Sequence, residues 1–140
     1  MKSVVSLLLL ATGLFGAAVP LAFAKDSTSE SPKVIGMYFY ANWCANCKEL
    51  EPKLETAANS LKKDPFLLVR LDVSNKATQY KAGLTASAMG LGSRFDANAP
   101  KTGFVLLVDP KSGEVVDRLT KELAPDEIEQ RVRGALAKAG

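Results

Sequence analysis

The chain contains no histidine, only two cysteines and a single tryptophan. Without histidine, the commonest metal ligand and the usual general base near neutral pH are both missing. Two cysteines alone cannot complete a closed four-ligand zinc site within one chain. Charge of one sign is also scarce: 18 basic residues against 15 acidic leave a formal net charge of +3. No block of five or more Lys or Arg occurs, so nothing argues for a nucleic-acid partner. The 140 residues allow one domain, and no internal repeat is visible.

The one long apolar run lies at the start. Met1-Lys2 is short and positive, Val4 to Val19 is apolar around Leu7-Leu8-Leu9-Leu10, and Ala22-Phe23-Ala24 sets small residues at alternate positions before polar Lys25-Asp26-Ser27. This is a secretory signal pattern over residues 1–24, expected to be cleaved. The alternative is an uncleaved N-terminal anchor, although the run is near the lower length limit for a membrane span. Lys25–Lys33, rich in Ser, Thr and charge, reads as a flexible leader, and residues 34–140 as the folded domain. The expected location is extracytoplasmic, periplasmic or equivalent, with no stable membrane insertion after cleavage. In such a compartment a disulfide persists.

Both cysteines lie in Trp43-Cys44-Ala45-Asn46-Cys47-Lys48, directly after the apolar run Val34–Tyr40. That run reads as a strand buried on both faces, as at the centre of a mostly parallel sheet. From Cys44 the period becomes helical, with Leu50, Leu54, Ala58 and Leu61 on one face. Cys44 then starts a helix and Cys47 follows one turn later, so the two sulfurs can meet. Free N–H groups at the helix start favour a thiolate on Cys44. The spacing closes too short a loop for a disulfide there to stabilise much by chain entropy. A pair so placed is suited to being made and broken, with Cys44 attacking and Cys47 resolving. Lys48 adds positive charge or is simply a solvated helix residue; Trp43 shields the site or simply packs.

The rest of the chain gives a coarse order. The first helix runs on through Pro52 and ends at Lys62-Lys63-Asp64-Pro65. Phe66–Leu71 is a second strand and Lys76–Met89 a helix carrying Tyr80, Leu84 and Met89. Gly90 to Gly103 is a loop, Phe104–Val108 a wholly apolar strand, and Asp109-Pro110-Lys111-Ser112-Gly113 a turn. Glu114–Leu119 returns as a hairpin strand. Pro125 opens a last helix whose stripe is Ile128, Val132 and Leu136. The order β-α-β-α-β-β-α predicts an α/β fold with the last two strands antiparallel.

The stretch from Tyr38 to Pro52, Tyr-Phe-Tyr-Ala-Asn-Trp-Cys-Ala-Asn-Cys-Lys-Glu-Leu-Glu-Pro, resembles the thioredoxin-fold thiol–disulfide oxidoreductases. It is similar to the thioredoxin-like domains of exported and membrane-linked disulfide reductases, including the C-terminal domain of DsbD. The resemblance implies a thioredoxin-like fold over Val34 to about Ala137, with a central four-stranded mixed sheet flanked by helices. It implies that Pro52 is the proline that kinks the active-site helix. It also implies three departures. Tyr38 stands where the family often has a buried acid serving the second cysteine. Ala45-Asn46 replaces Gly-Pro between the cysteines. Pro100 is the candidate for the cis-proline facing the cysteines, but Lys101 intervenes before Thr102, and the approach from Gly90 to Ala99 is longer than in simple thioredoxins.

The expected function is exchange of disulfides with exported proteins through Cys44 and Cys47. It needs no bound cofactor or metal, because electrons pass through protein dithiols, and it suits a monomer with an unidentified redox donor. Two other readings use the same residues. One is a non-catalytic binding module with Cys44–Cys47 as a permanent staple. The other is a Cu(I) carrier using both thiolates.

Overall fold

A computed structural model describes residues 31–139 of the chain. The signal segment 1–24 and the leader up to residue 30 lie outside the described residues. The last leader residue is tied to the domain, since Lys33 N–H donates to Pro65 O at 2.8 Å.

Strand β1, Val34–Tyr40, is the centre of the fold. It pairs in parallel with β2, Phe66–Asp72, and antiparallel with β3, Phe104–Val108. Strand β4, Val115–Thr120, closes the β3 hairpin, and the sheet order is β2-β1-β3-β4. A strand with neighbours on both edges and helices on both faces is almost wholly enclosed, which is why β1 carries no charged side chain.

Side chains alternate across β1 and build two cores. Val34 and Tyr38 face α1, Ala45–Ser60, and α4, Pro125–Lys138, where Leu50, Leu54, Val105, Leu107, Ile128 and Val132 are buried. Ile35, Met37 and Phe39 face α2, Lys76–Ala88, and α3, Gly92–Asn98, among Leu71, Phe95, Phe104 and Leu106.

Helix α1 continues through Pro52. An interior proline costs about 3 kcal/mol, and burying Leu50 and Leu54 returns roughly 1.5–3 kcal/mol each, so packing outweighs the lost hydrogen bond. Helix α4 begins with Pro125, and Glu127 Oε2 accepts Ala124 N–H at 2.7 Å. Its buried stripe is Ile128, Val132 and Ala135, with Leu136 only half-buried beside them.

One expectation needs correction. The segment from Gly90 to Gly103 is not a loop throughout: it contains α3. Phe95 anchors that turn of helix in the core, stacked on Phe39 at 5.9 Å between ring centroids. Arg94 Nε ties it to the β3–β4 turn by donating to Gly113 O at 2.6 Å. Helix α2 packs through its small residues. It buries the small Ala82 and Ala86 and leaves Tyr80 and Leu84 exposed, because alanines let it lie close to the sheet. It ends at Gly90, whose φ of +74° suits a residue without Cβ.

Candidate active site

Chain geometry brings Cys44 to the very start of α1. Cys44 is the N-cap residue, with extended φ −83° and ψ 111°, and its Sγ accepts the Cys47 N–H at 3.1 Å. Sulfur thus sits where the helix presents unpaired N–H groups and its positive end, the arrangement that favours a thiolate. Cys44 and Cys47 are joined as a disulfide, with Cα atoms 5.3 Å apart. The two sulfurs are not equivalent: Cys44 is 7% exposed and Cys47 is fully buried. Cys47 Sγ lies 3.8 Å from Phe39 O, the carbonyl to which its thiol can donate once reduced.

Opposite the pair runs the approach to β3. The Ala99–Pro100 peptide is cis, as expected for the candidate proline. The backbone that abuts Cys44 is that of Gly103, three residues further on. Its φ is +88°, and a Cβ placed there would stand 2.8 Å from Asn46 Cβ and 3.4 Å from Cys44 Sγ. Gly103 N–H also donates to Phe39 O at 2.9 Å, so Phe39 O touches both Gly103 and Cys47. Sequence reasoning missed Gly103. Its only signal was a glycine immediately before an all-apolar strand.

The supporting residues divide. Trp43 is 61% exposed, and its indole Nε1–H donates to Ser74 O at 3.0 Å, so the ring lies at the surface by the β2–α2 junction. Ser74 Oγ accepts Asn42 N–H at 2.9 Å, and Ser74 N–H donates to Asp72 Oδ1 at 2.8 Å. Burial opposes ionisation of Asp72, but hydrogen bonds from the Ser74 side chain and backbone outweigh it and hold the carboxyl below its ordinary range. Lys48 is exposed, and what it gives the pair is a backbone N–H to Cys44 O at 3.4 Å. Pro52 lies at the surface of α1, its carbonyl accepting Thr56 Oγ1–H at 2.9 Å.

Tyr38 is buried, and its hydroxyl donates to Cys47 O at 3.2 Å. Burial above all, then the Glu51 carboxylate, pushes the phenol well above its ordinary value, against a smaller lowering by Arg70. Tyr38 is therefore a hydrogen-bond donor and no base at neutral pH.

The family described as Thioredoxin matches residues 20–85. Among solved structures, a thiol:disulfide interchange protein of the thioredoxin family from Chlorobium tepidum TLS superposes with a TM-score of 0.51 at 18% identity, over 74% of this chain and 80% of that one. StoA from Bacillus subtilis gives a TM-score of 0.51 at 16% identity, over 74% and 85%. The chain belongs to the thioredoxin-fold family. Curated relatives that match include protein disulfide-isomerases. Protein disulfide-isomerase A4 from Mus musculus is 33% identical over 107 residues, 68% of this chain and 17% of that protein. Protein disulfide isomerase-like 1-1 from Arabidopsis thaliana is 42% identical over 50 residues, 31% and 10%. The thioredoxin-fold chain thus spans a small fraction of the curated relatives it matches.

Proposed function

We propose that this chain is an exported thiol–disulfide oxidoreductase acting on protein disulfides. The observation that carries the reading is the asymmetric pair: Cys44 on the α1 N-terminus, keeping 7% exposure, and Cys47 with none behind it and bonded to it. Reduced Cys44 attacks a partner disulfide as thiolate, and one partner sulfur leaves as thiolate. Cys47 then attacks Cys44 Sγ, the second partner sulfur leaves, and the chain is oxidised by two electrons as the partner is reduced. Run backwards, the same steps donate a disulfide. Gly103, three residues after the cis Ala99–Pro100 bond, and Asn46 stand beside Cys44 Sγ, and Trp43 precedes Cys44 in the chain with its ring exposed.

Export rests on the signal pattern of residues 1–24, and it makes other exported proteins the partners, with a protein dithiol as the electron donor. The finer likeness to exported reductases such as the DsbD C-terminal domain belongs to the same reading. The test is insulin reduction by a dithiol donor in the presence of the chain lacking residues 1–24. Wild type should accelerate it and Cys44→Ser should not; equal rates for the two would refute the reading. Fractionation of cells expressing the full chain tests export: protein retained in the cytoplasm would contradict it.

A further inference from the structure

The sheet has two ends, and only one carries the cysteines. Cys44 follows the end of β1, with Gly103 beside it at the start of β3. At the other end of β1 lies a groove of about 520 Å³ lined by Ile35, Leu67, Met89 and Pro110 together with exposed Lys33 and Lys111. Strand register explains its apolar character. Ile35 pairs with Leu67 on one side and with Val108 on the other, and Val108 pairs with Val115. One apolar row therefore crosses all four strands. Its centre is buried, but Leu67 keeps 44% exposure and Val115 keeps 41%.

Lysines surround this end. Lys33 N–H donates to Pro65 O at 2.8 Å, which sets Lys33 beside the turn that carries exposed Lys62 and Lys63. Helix α4 runs to the same end: Arg133 pairs with Asp64 of that turn at 3.0 Å, and exposed Lys138 follows in the last turn. The carboxylates here are fewer. Asp64 and Glu129 both pair with Arg133. Asp109 Oδ1 accepts Lys111 N–H at 2.8 Å within the β3–β4 turn, and Glu114 is exposed at the end of that turn. The lysines outnumber Asp109 and Glu114, the carboxylates that Arg133 does not engage.

An exposed apolar row ringed by lysines fits a bilayer that carries anionic lipid. The apolar side chains enter the boundary between headgroups and acyl chains, while the lysines lay their stems along it and keep their charges at the phosphates. The path of the chain favours a bilayer over a protein partner. Ser31 and Pro32 line the groove, and Pro20–Glu30 join them to the apolar run Val4–Val19, a span of at most about 40 Å. While that run is in a membrane, this end of the domain is held toward it, and the cysteine end is not.

We propose that this end of the sheet is a peripheral docking surface for anionic phospholipid, seated through Leu67, Met89 and Val115 and held by the lysines around them. Docked in this way, the length of β1 lifts Cys44 roughly 20 Å from the lipid. The surface stands independently of disulfide exchange.

The test is flotation with vesicles of the chain lacking residues 1–24, which keeps every described residue. The vesicles are phosphatidylcholine alone and phosphatidylcholine mixed with phosphatidylglycerol. Wild type should float with the mixed vesicles and not with phosphatidylcholine, and less of it should float at about 1 M salt, where screening shortens to about 3 Å. Lys33→Gln combined with Lys111→Gln should weaken partitioning by about twentyfold, and Leu67→Asn by several-fold. Lys76→Gln combined with Lys81→Gln, the same loss of charge on α2, should float like wild type. Trp43, the single tryptophan, reads the orientation without any substitution: brominated acyl chains in the mixed vesicles should leave its fluorescence unquenched. Wild type that floats equally with phosphatidylcholine, or whose Trp43 is quenched, would overturn the proposal, as would wild-type flotation of the Lys33 and Lys111 double variant. Absence of flotation would overturn it too and leave a protein as the occupant of the groove. Insulin reduction reads disulfide exchange separately from all of these outcomes.

Discussion

Gly103 and Cys44 meet across the site: a Cβ on Gly103 would lie 3.4 Å from Cys44 Sγ and 2.8 Å from Asn46 Cβ. No side chain fits there without moving α1, and φ +88° is itself strained for any L-residue. Gly103→Ala should therefore act on both stability and reactivity. The backbone strain alone costs about 1–2 kcal/mol, a fall of several degrees in Tm by calorimetry. The alkylation rate of reduced Cys44 by iodoacetamide should drop several-fold. An unchanged Tm and rate would mean that the close approach does not constrain the site.

Phe95 ties α3 to the strand that holds the pair. It stacks on Phe39, Phe39 stacks on Phe104 at 4.9 Å, and Phe39 O faces Cys47. Phe95→Ala should cost about 3–5 kcal/mol in urea unfolding. Amide exchange should quicken most at Phe95–Ala99, whose N–H groups are held within α3 and at its end. A loss under 1 kcal/mol would show that α3 is not anchored by this ring.

Two groups set opposite ends of the pH–stability curve. The folded-state value of Tyr38 is raised, so the folded chain holds this proton more tightly than the unfolded chain. Its contribution is complete below about pH 10 and is lost as pH rises above that. Asp72 is lowered, so its contribution is present above about pH 4 and fades as pH falls through its folded value. Tyr38→Phe should remove part of the alkaline decline and, by deleting the bond to Cys47 O, cost about 0.5–1.5 kcal/mol at neutral pH. Asp72→Asn should flatten the acid limb. Urea midpoints measured across pH check both signs; parallel curves for wild type and variants would contradict them.

How far the sequence revealed this molecule depended on how each element gets its stability. β1 and α1 were legible because they carry their own signal: an unbroken apolar run, then a 3.6-residue stripe through Leu50 and Leu54. The cysteine pair was legible because spacing and a strand-to-helix change coincide there. Helix α3 was not, because its seven residues hold one large apolar side chain and its stability comes from Phe95 packing and the Arg94 tie. The packed face of α2 was hidden because Ala82 and Ala86 bury it while the larger Tyr80 and Leu84 point outward. Gly103 was invisible as a site residue since its role is the absence of a side chain.

The central claim is that Cys44 attacks and Cys47 resolves. Incubating reduced Cys47→Ser with oxidised insulin and identifying adducts by non-reducing mass spectrometry tests it most directly. The expected result is a mixed disulfide on Cys44 that accumulates in Cys47→Ser, is fleeting in wild type and is absent in Cys44→Ser. An adduct on Cys47 in Cys44→Ser at a comparable rate, or none on Cys44 in Cys47→Ser, would contradict the account.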